Sequence, residues 1–539
     1  MNEQAVNTNL TVQDAAILRV STGTVFSYIP FVLSAAGAFA LTGARIRFGG
    51  ENFISDGALM VLALAAYCFA AVFFLTNLFV PFRFAEQMGL WTATIAVFFN
   101  FSSWLVRWVA AYDRELSIFE SQGRGSDGMG WAFRYVPFAN LYDLSLAFAF
   151  GAGVTTLLVM RRTDLRVIAG LALPLAAIIL VLARFIGDGF VDLPPVLDSY
   201  WRPIHVGVAS LSYGVALVCF AVAVLYLVKV GLKVETMAIW ASIFALSVFA
   251  TVSKFSVFSP TTFGHYAAST LIADARAPIA LRADLPYVGW FIVVSGVLLV
   301  AAIAAFAADL SKGDKRSGRI GFGMLAASLL TQLGGVVMLV YQVKSLRNVF
   351  SHIDPQQYER FAVWMLQQEE IPQAQIITIP KAQLVQMAAD WVGQNGENLR
   401  LSLNANPVEL TALITAFAAV FFVVLFSFNT DRLRSMLPSA ERLDDLLYKL
   451  GGIAFAGLAL LLITGAVWAN ESWGRYWGWD AKETGAFIAW LTYAGFLHSR
   501  IAYGVRGRRS AYFAIVAFLF VVFTYLGVSY LLPGLHSYA

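Results

Sequence analysis

Twelve residues, Trp473-Gly474-Arg475-Tyr476-Trp477-Gly478-Trp479-Asp480-Ala481-Lys482-Glu483-Thr484, bring three indoles, a phenol and four charged side chains together between two long apolar runs. A connection between helices is ordinarily small and polar. This one offers flat aromatic surface beside Arg, Lys, Asp and Glu. Aromatic faces stack on planar groups, and Arg and Lys pair with carboxylates. The combination suits a large planar ligand with charged groups at its edge.

The chain has only five histidines, His205, His265, His352, His498 and His536. His205 opens an apolar segment just after Tyr200-Trp201-Arg202-Pro203, and His536 follows the last apolar segment in Leu531-Leu532-Pro533-Gly534-Leu535-His536. Both are therefore expected at a membrane face. Two neutral imidazoles can bind iron axially from opposite sides of a porphyrin, with indoles covering the macrocycle. The alternative for each is a histidine that snorkels or hydrogen-bonds at the interface. His498 lies fourteen residues beyond Thr484, about 21 Å along a helix. An ionisable group at such depth points to function, against the alternative of a hydrogen-bonded core histidine. As half of a metal site it would need a histidine from another subunit. His265 and His352 read as surface residues. The two cysteines, Cys68 and Cys219, lie inside apolar runs as packing thiols. Thiol redox chemistry and a disulfide framework are not expected.

These residues must be positioned by membrane helices. The chain has 539 residues, 59% hydrophobic and 13% charged, with a mean hydropathy of +0.70. A soluble chain carries roughly 25% charged residues. The fold expected is an all-α, polytopic integral membrane bundle. At about 20 apolar residues per span, the spans fall near 25–44, 57–80, 92–111, 141–160, 166–187, 204–228, 237–256, 288–308, 320–341, 409–428, 449–468, 484–503 and 511–530. The first reads as an uncleaved membrane helix, because the 24 residues before it are too polar for a signal peptide.

Basic residues cluster in 161–166, 309–319, 429–449 and 500–509, which share one side if the count is thirteen. That side is expected to be cytoplasmic, with the N-terminus inside and the C-terminus outside. His205, His536 and segment 469–483 then share the external face. The loops 112–140 and 257–287 and the Gln/Glu-rich stretch 343–408 are also expected outside. Within the first loop, Gln122–Gly130 is glycine-rich but lacks the strand and helix that a phosphate loop needs. Arg184 is expected to snorkel or to pair with Asp188. The net charge of +4 is spread over many loops, which implies no nucleic-acid partner.

Several stretches resemble the CcsA family, also called ResC, of system II cytochrome c biogenesis proteins with a tryptophan-rich motif. They are Gly465 to Thr484, Phe496-Leu497-His498-Ser499-Arg500, Arg506 to Tyr512, and Phe523 to Val528 running into Gly534-Leu535-His536-Ser537-Tyr538-Ala539. Upstream, Pro137 to Asp143 and Ser199 to Val206 are similar as well. The resemblance is dense over 435–539 and patchy over 137–228. It implies haem b (iron protoporphyrin IX) held externally by His205 and His536 on a platform of Trp473, Trp477, Trp479 and Asp480. It makes His498 an intramembrane haem ligand whose partner comes from a CcsB (ResB) membrane protein. The family role it implies is presenting haem at the external face of the bacterial cytoplasmic membrane, for thioether attachment to the Cys-x-x-Cys-His motif of apocytochrome c.

Residues 229–434 exceed the short connection the resemblance leads one to expect and read as an insertion of four helices with the polar segment 343–408. Residues 1–136 match only weakly. Two alternatives remain: a haem-delivery protein of the CcmC or CcmF type, and a secondary solute transporter. The ending Gly534–Ala539 disfavours the first. The absence of paired, Gly/Pro-broken helices disfavours the second.

Overall fold

The computed structural model describes residues 28–123, 130, 132–186, 189–190, 195–252, 266–272, 279–285, 287–345, 352–353, 355–369, 371–395, 408–428 and 430–528. The chain folds as a polytopic helical membrane protein, and every predicted apolar run falls on a helix. In order these are α1 (Ile29–Phe48), α2 (Asp56–Phe79), α3 (Arg83–Ser121), α4 (Leu141–Met160), α5 (Ala169–Ile186), α6 (Trp201–Lys229), α7 (Val234–Val252), α8 (Val288–Lys312) and α9 (Lys315–Ser345). After two short helices, α10 (Tyr358–Gln368) and α11 (Lys381–Asn395), come α12 (Val408–Ser427), α13 (Ala440–Trp473), α14 (Ala481–Tyr503) and α15 (Arg508–Val522). Ten helices among the described residues are each long and apolar enough to cross a membrane. The α12 region joins them if its bent pair with Thr430–Met436 forms one span, while α7 is apolar but shorter.

Several elements run past their expected ends. Helix α3 continues through 112–121, where a loop was expected, because Asp113 is anchored by Arg45 at 2.8 Å. Helix α13 begins at Ala440, where Ser439 Oγ accepts from Arg442 N, and ends at Trp473 against Gly474 with φ 70°. Trp473 is thus the last helical residue, and the aromatic connection is shorter than 469–483. The loop 257–287 contributes strands β1 (Tyr266–Ile272) and β2 (Ile279–Leu285), antiparallel with Tyr266 opposite Leu285. Strand β3 (His352–Ile353) pairs with β2, placing His352 opposite Arg282.

Apolar packing forms separate cores. The largest joins α2–α6 with α13–α15 around Phe148, Tyr213, Leu458, Tyr493 and Phe518. A second lies wholly within α7, α8, α9 and α12. A third packs Ile279 against α10 and α11 through Phe361 and Leu384. In the largest core, α4 and α6 approach at Gly151 and Gly214. A Cβ on Gly214 would lie 2.4 Å from backbone atoms of Gly151 and Ala152. Small residues at a membrane helix crossing permit this backbone approach.

The buried guanidinium of Arg107 fastens α2, α3 and α4 at one end. It donates to Asp143 Oδ1, to Asp56 Oδ2 at 3.0 Å and to the Gly189 carbonyl at 3.1 Å. Arg107 also lies over the Tyr142 ring, 4.6 Å from its centroid. At the opposite end, Arg500 forms a two-pronged pair with Asp444 at 2.8 and 2.5 Å, which locks α14 to α13. Asp444 Oδ1 also accepts from Gly507 N, so the turn before α15 is held by the same carboxylate.

Candidate functional site

A cleft of about 910 Å³, counting its open mouth, lies where α6, α13 and α14 meet beside Leu144 of α4. His205 stands one turn into α6 and faces α13. Its Nδ1 lies 3.0 Å from the Leu461 carbonyl oxygen. A carbonyl can only accept, so in the neutral ring Nδ1 carries the proton and Nε2 carries the lone pair. Such a second contact sets the tautomer and orientation of a ligating imidazole.

The face of α13 toward this ring is Leu461, Gly465 and Trp468, at i, i+4 and i+7. The His205 and Trp468 rings lie 5.6 Å apart at 44°. A Cβ on Gly465 would meet His205 Cε1 at 2.7 Å and Nδ1 at 3.0 Å. Gly465→Val is therefore expected to push the imidazole off the Leu461 carbonyl while leaving the fold intact. The ligand-bound optical spectrum should lose intensity and the melting temperature should hold. A variant with an unchanged spectrum would show that the ring does not depend on this contact.

The aromatic connection is fixed by its backbone. Gly474 ends α13, and Trp479 adopts φ 56°, a left-handed conformation that costs a non-glycine residue energy. Asp480 then caps α14, and Glu483 closes the capping box. Glu483 Oε2 also accepts from Gly478 N at 2.8 Å. Trp473, Tyr476 and Trp477 line the cleft, as do Lys482 and Glu483. Trp479 and Asp480 stand outside the lining. Trp479 is 69% exposed and packs edge-on against Trp477 at 5.7 Å. Phe487 meets both indoles edge-on and stacks on Trp490.

The mouth is tied at two points. Ser199 Oγ donates to Glu471 Oε2 at 2.5 Å, joining the approach to α6 to the end of α13. Arg134 is held by Asp198, and the Arg202 guanidinium donates to the Arg134 carbonyl at 2.7 Å. The hydrogen bond that Arg134 donates to Asp198 raises the Arg134 pKa above its ordinary value, so the cation persists at the rim.

Inside the cleft, the indole N–H groups of Trp468 and Trp477 are buried with no hydrogen-bond partner among the described residues. Buried donors normally find acceptors. Together with Lys482 they would meet the acidic edge of a planar ligand whose face lies on the indoles. The arrangement can therefore hold a flat amphiphilic group and offer it one imidazole.

Trp468, Gly465, Lys482 and Glu483 were not singled out as site residues from the sequence. The i, i+4, i+7 pattern Leu461–Gly465–Trp468 is the signal that marks the α13 face. His536 lies outside the described residues, as do His265, Asp188 and residues 124–129 of the glycine-rich stretch. His498 is not in the cleft. It is on α14, seventeen residues after Ala481 and so about 25 Å along the helix. It is exposed on the bundle surface, with its ring 5.6 Å from that of Tyr503. Arg184 is exposed at the end of α5. Cys68 and Cys219 are free thiols, the first exposed and the second buried.

The family model described as "Cytochrome C assembly protein" matches residues 138–273 and 409–536, which between them supply every described residue lining the cleft. The chain is 41% identical over 162 residues to the cytochrome c biogenesis protein CcsA of Gloeothece citriformis, covering 30% of this chain and 49% of that protein. It is 54% identical over 99 residues to CcsA of Gloeobacter violaceus, covering 18% and 29%. It is 38% identical over 175 residues to CcsA of a Picosynechococcus, covering 30% and 52%. The chain thus spans about half the length, or less, of these curated relatives. Over the helices that build the cleft, the chain is similar to the CcsA proteins of cytochrome c assembly.

Proposed function

We propose that the chain is the haem-binding subunit of a membrane-bound cytochrome c synthase, a cytochrome c biogenesis protein that presents haem for thioether attachment to apocytochrome c. The single observation that carries the reading is His205. It is a ring whose Nδ1 faces a carbonyl at 3.0 Å, inside a cleft walled by indoles and bearing two orphaned indole donors. The residues fit haem b. When bound, haem would supply an iron that takes imidazole ligands and two vinyl groups to which substrate thiols add.

The chain's own part is positioning. His205 would offer Nε2 to the iron, with His536 as the second imidazole. Trp473 and Trp477 would hold the ligand by ring contact. Trp479 and Asp480 brace that wall, through ring contact and the α14 cap. Lys482 and the two indole N–H groups receive the carboxylate edge, and the apolar walls exclude water. No side chain is required as a nucleophile, which accords with two free cysteines remote from the lining.

His498 faces outward on α14, as a ligand completed by another chain would. A CcsB or ResB membrane protein is the proposed supplier of the second imidazole. The proposed setting is the bacterial cytoplasmic membrane. The cleft opens externally there, and the chain makes thirteen crossings, with its N-terminus inside and its C-terminus outside. Residues 229–434 would act as an added module on a haem-handling core formed by 137–228 and 435–539.

The test is purification from haem-replete cells together with its CcsB-type partner. A red preparation is expected, with a Soret band of six-coordinate haem, and covalent cytochrome c should accumulate when an apocytochrome is co-expressed. A colourless preparation would favour the solute transporter. A red one that delivers haem but never supports covalent attachment would favour the CcmC or CcmF type.

A further inference from the structure

The end of the bundle remote from His205 carries a second concavity that the haem reading does not use. It has two lobes. The larger, about 1,460 Å³ with its open mouth, lies between the end of α4 and the start of α13. The smaller, about 520 Å³, lies between the end of α4 and the start of α1. Both lobes share Leu158 and Arg161. Leu158 is 41% exposed, so it forms a ridge with an apolar trough on each side. Val159, Leu450 and Ile453 line the larger trough, and Phe31, Leu90 and Leu157 the smaller.

One end of this double trough is basic. Arg161, Arg162, Arg442 and Lys449 line the larger lobe, with Asp445 as its lining carboxylate. Arg442 also pairs with Asp164 at 3.2 Å, and Lys449 with Asp445 at 2.8 Å. Arg166, in the smaller lobe, is matched by Glu86 at 2.7 Å. Among the described residues, the cations of the trough outnumber its carboxylates five to three. Arg161 is held over the Tyr28 ring, 3.4 Å from the centroid, which places a cation at the junction of the lobes.

We infer that this double trough seats one anionic glycerophospholipid, its phosphodiester at Arg161 and Arg162 and one acyl chain on each side of Leu158. Charge complementarity selects an anion. Two apolar lobes that diverge from one basic junction select a headgroup carrying two chains, not a free phosphate. Among the described residues, no histidine lines either lobe, which sets the site apart from the haem cleft. Basic pockets between membrane helices bind such headgroups through this chemistry. The seat joins α1, α4 and α13, so an occupied site would brace the helix that carries Leu461 and Gly465.

The test uses the full chain purified in mild detergent, with retained lipid counted by native mass spectrometry. Wild type is expected to keep one phosphatidylglycerol. Arg162→Gln combined with Lys449→Gln should bind it about 25-fold more weakly, the product of two basic groups at about fivefold each. Leu158→Trp, which fills the ridge without changing charge, should also lower retention. In nanodiscs, phosphatidylglycerol should raise the wild-type melting temperature where phosphatidylcholine and inorganic phosphate do not, and the double variant should lose that response. Equal lipid retention by wild type and both variants would overturn the proposal. So would equal retention of phosphatidylcholine, a melting shift reproduced by inorganic phosphate, or haem recovered from this trough instead of lipid. Should the double variant fail to fold, Lys449→Gln alone, at an exposed side chain, is expected to show the fivefold part of the effect, and unchanged retention there would overturn it equally.

Discussion

His205→Ala should yield a chain that folds normally and is almost devoid of activity. The imidazole is the one described ring in the cleft able to donate a lone pair to a metal, and its Nδ1 contact with Leu461 would orient it for that role. Loss of an outer-shell partner alone costs 10–100-fold in metal affinity or activity, so loss of the ligand itself should cost about 100-fold or more in covalent cytochrome c. The six-coordinate Soret signature should disappear with it. The side chain is only half-buried and packs chiefly on Trp468, so the melting temperature should change little. A purely structural role predicts the reverse, a lowered melting temperature with the spectrum of the surviving protein intact. Normal yield of covalent cytochrome from this variant would refute the ligand assignment outright.

Arg107→Met should cause the largest loss of stability. The guanidinium is fully buried between Asp143 and Asp56. Removing it takes from both carboxylates the cation that bridges them. Breaking a buried pair from one side costs about 3–5 kcal/mol. Arg107→Lys should recover part of this at best, because a single ammonium cannot reproduce a fork that reaches both carboxylates and the Gly189 carbonyl. Arg45→Met is the control. Its partner Asp113 is 47% exposed, and pairs of that kind contribute about 0–1 kcal/mol. Thermal melts in one detergent would decide. If Arg107→Met melts no lower than Arg45→Met, the buried triad is not what fastens α2, α3 and α4.

The helices were legible because the bilayer demands runs of apolar residues, and composition reports those runs directly. Their ends were not. The polar extensions of α3 to Ser121 and of α13 from Ala440 to Trp473 are stabilised by particular partners, Asp113 with Arg45 and the Ser439 cap. No hydropathy window contains such partners. The hairpin of β1 and β2 was missed for a related reason. Its strands are short, and they meet β3 from some seventy residues further along the chain.

At the site, the rarity of histidine and the aromatic run exposed His205, Trp473 and Trp477. What stayed hidden was the α13 face. Leu461 acts through a carbonyl and Gly465 through a missing side chain, and neither has a residue type that suggests chemistry. Trp468 was visible within the family-like stretch, but its role depends on which way α13 faces. The division between lining and bracing indoles was equally unreadable, since it rests on the left-handed turn at Trp479.

The two ends of segment 229–434 meet. Lys229 Nζ donates to the carbonyls of Arg434 and Leu437 at 2.9 and 2.8 Å, while Arg434 reaches back to the carbonyls of Val228 and Leu232 at 3.0 and 3.1 Å. To the helices that build the cleft, α7, α8, α9 and α12 with the polar stretches between them are therefore topologically a closed loop. In polymer terms, closing a loop costs only about 0.6 kcal/mol more for each doubling of its length. A loop of about two hundred residues thus costs only ~2–3 kcal/mol more in closure entropy than one of about ten. The helices α7, α8, α9 and α12 bury apolar side chains against one another in a separate core. A chain built this way can gain or exchange a large module at that seam while the register between α6 and α13, and with it the distance from His205 to Leu461, is left untouched.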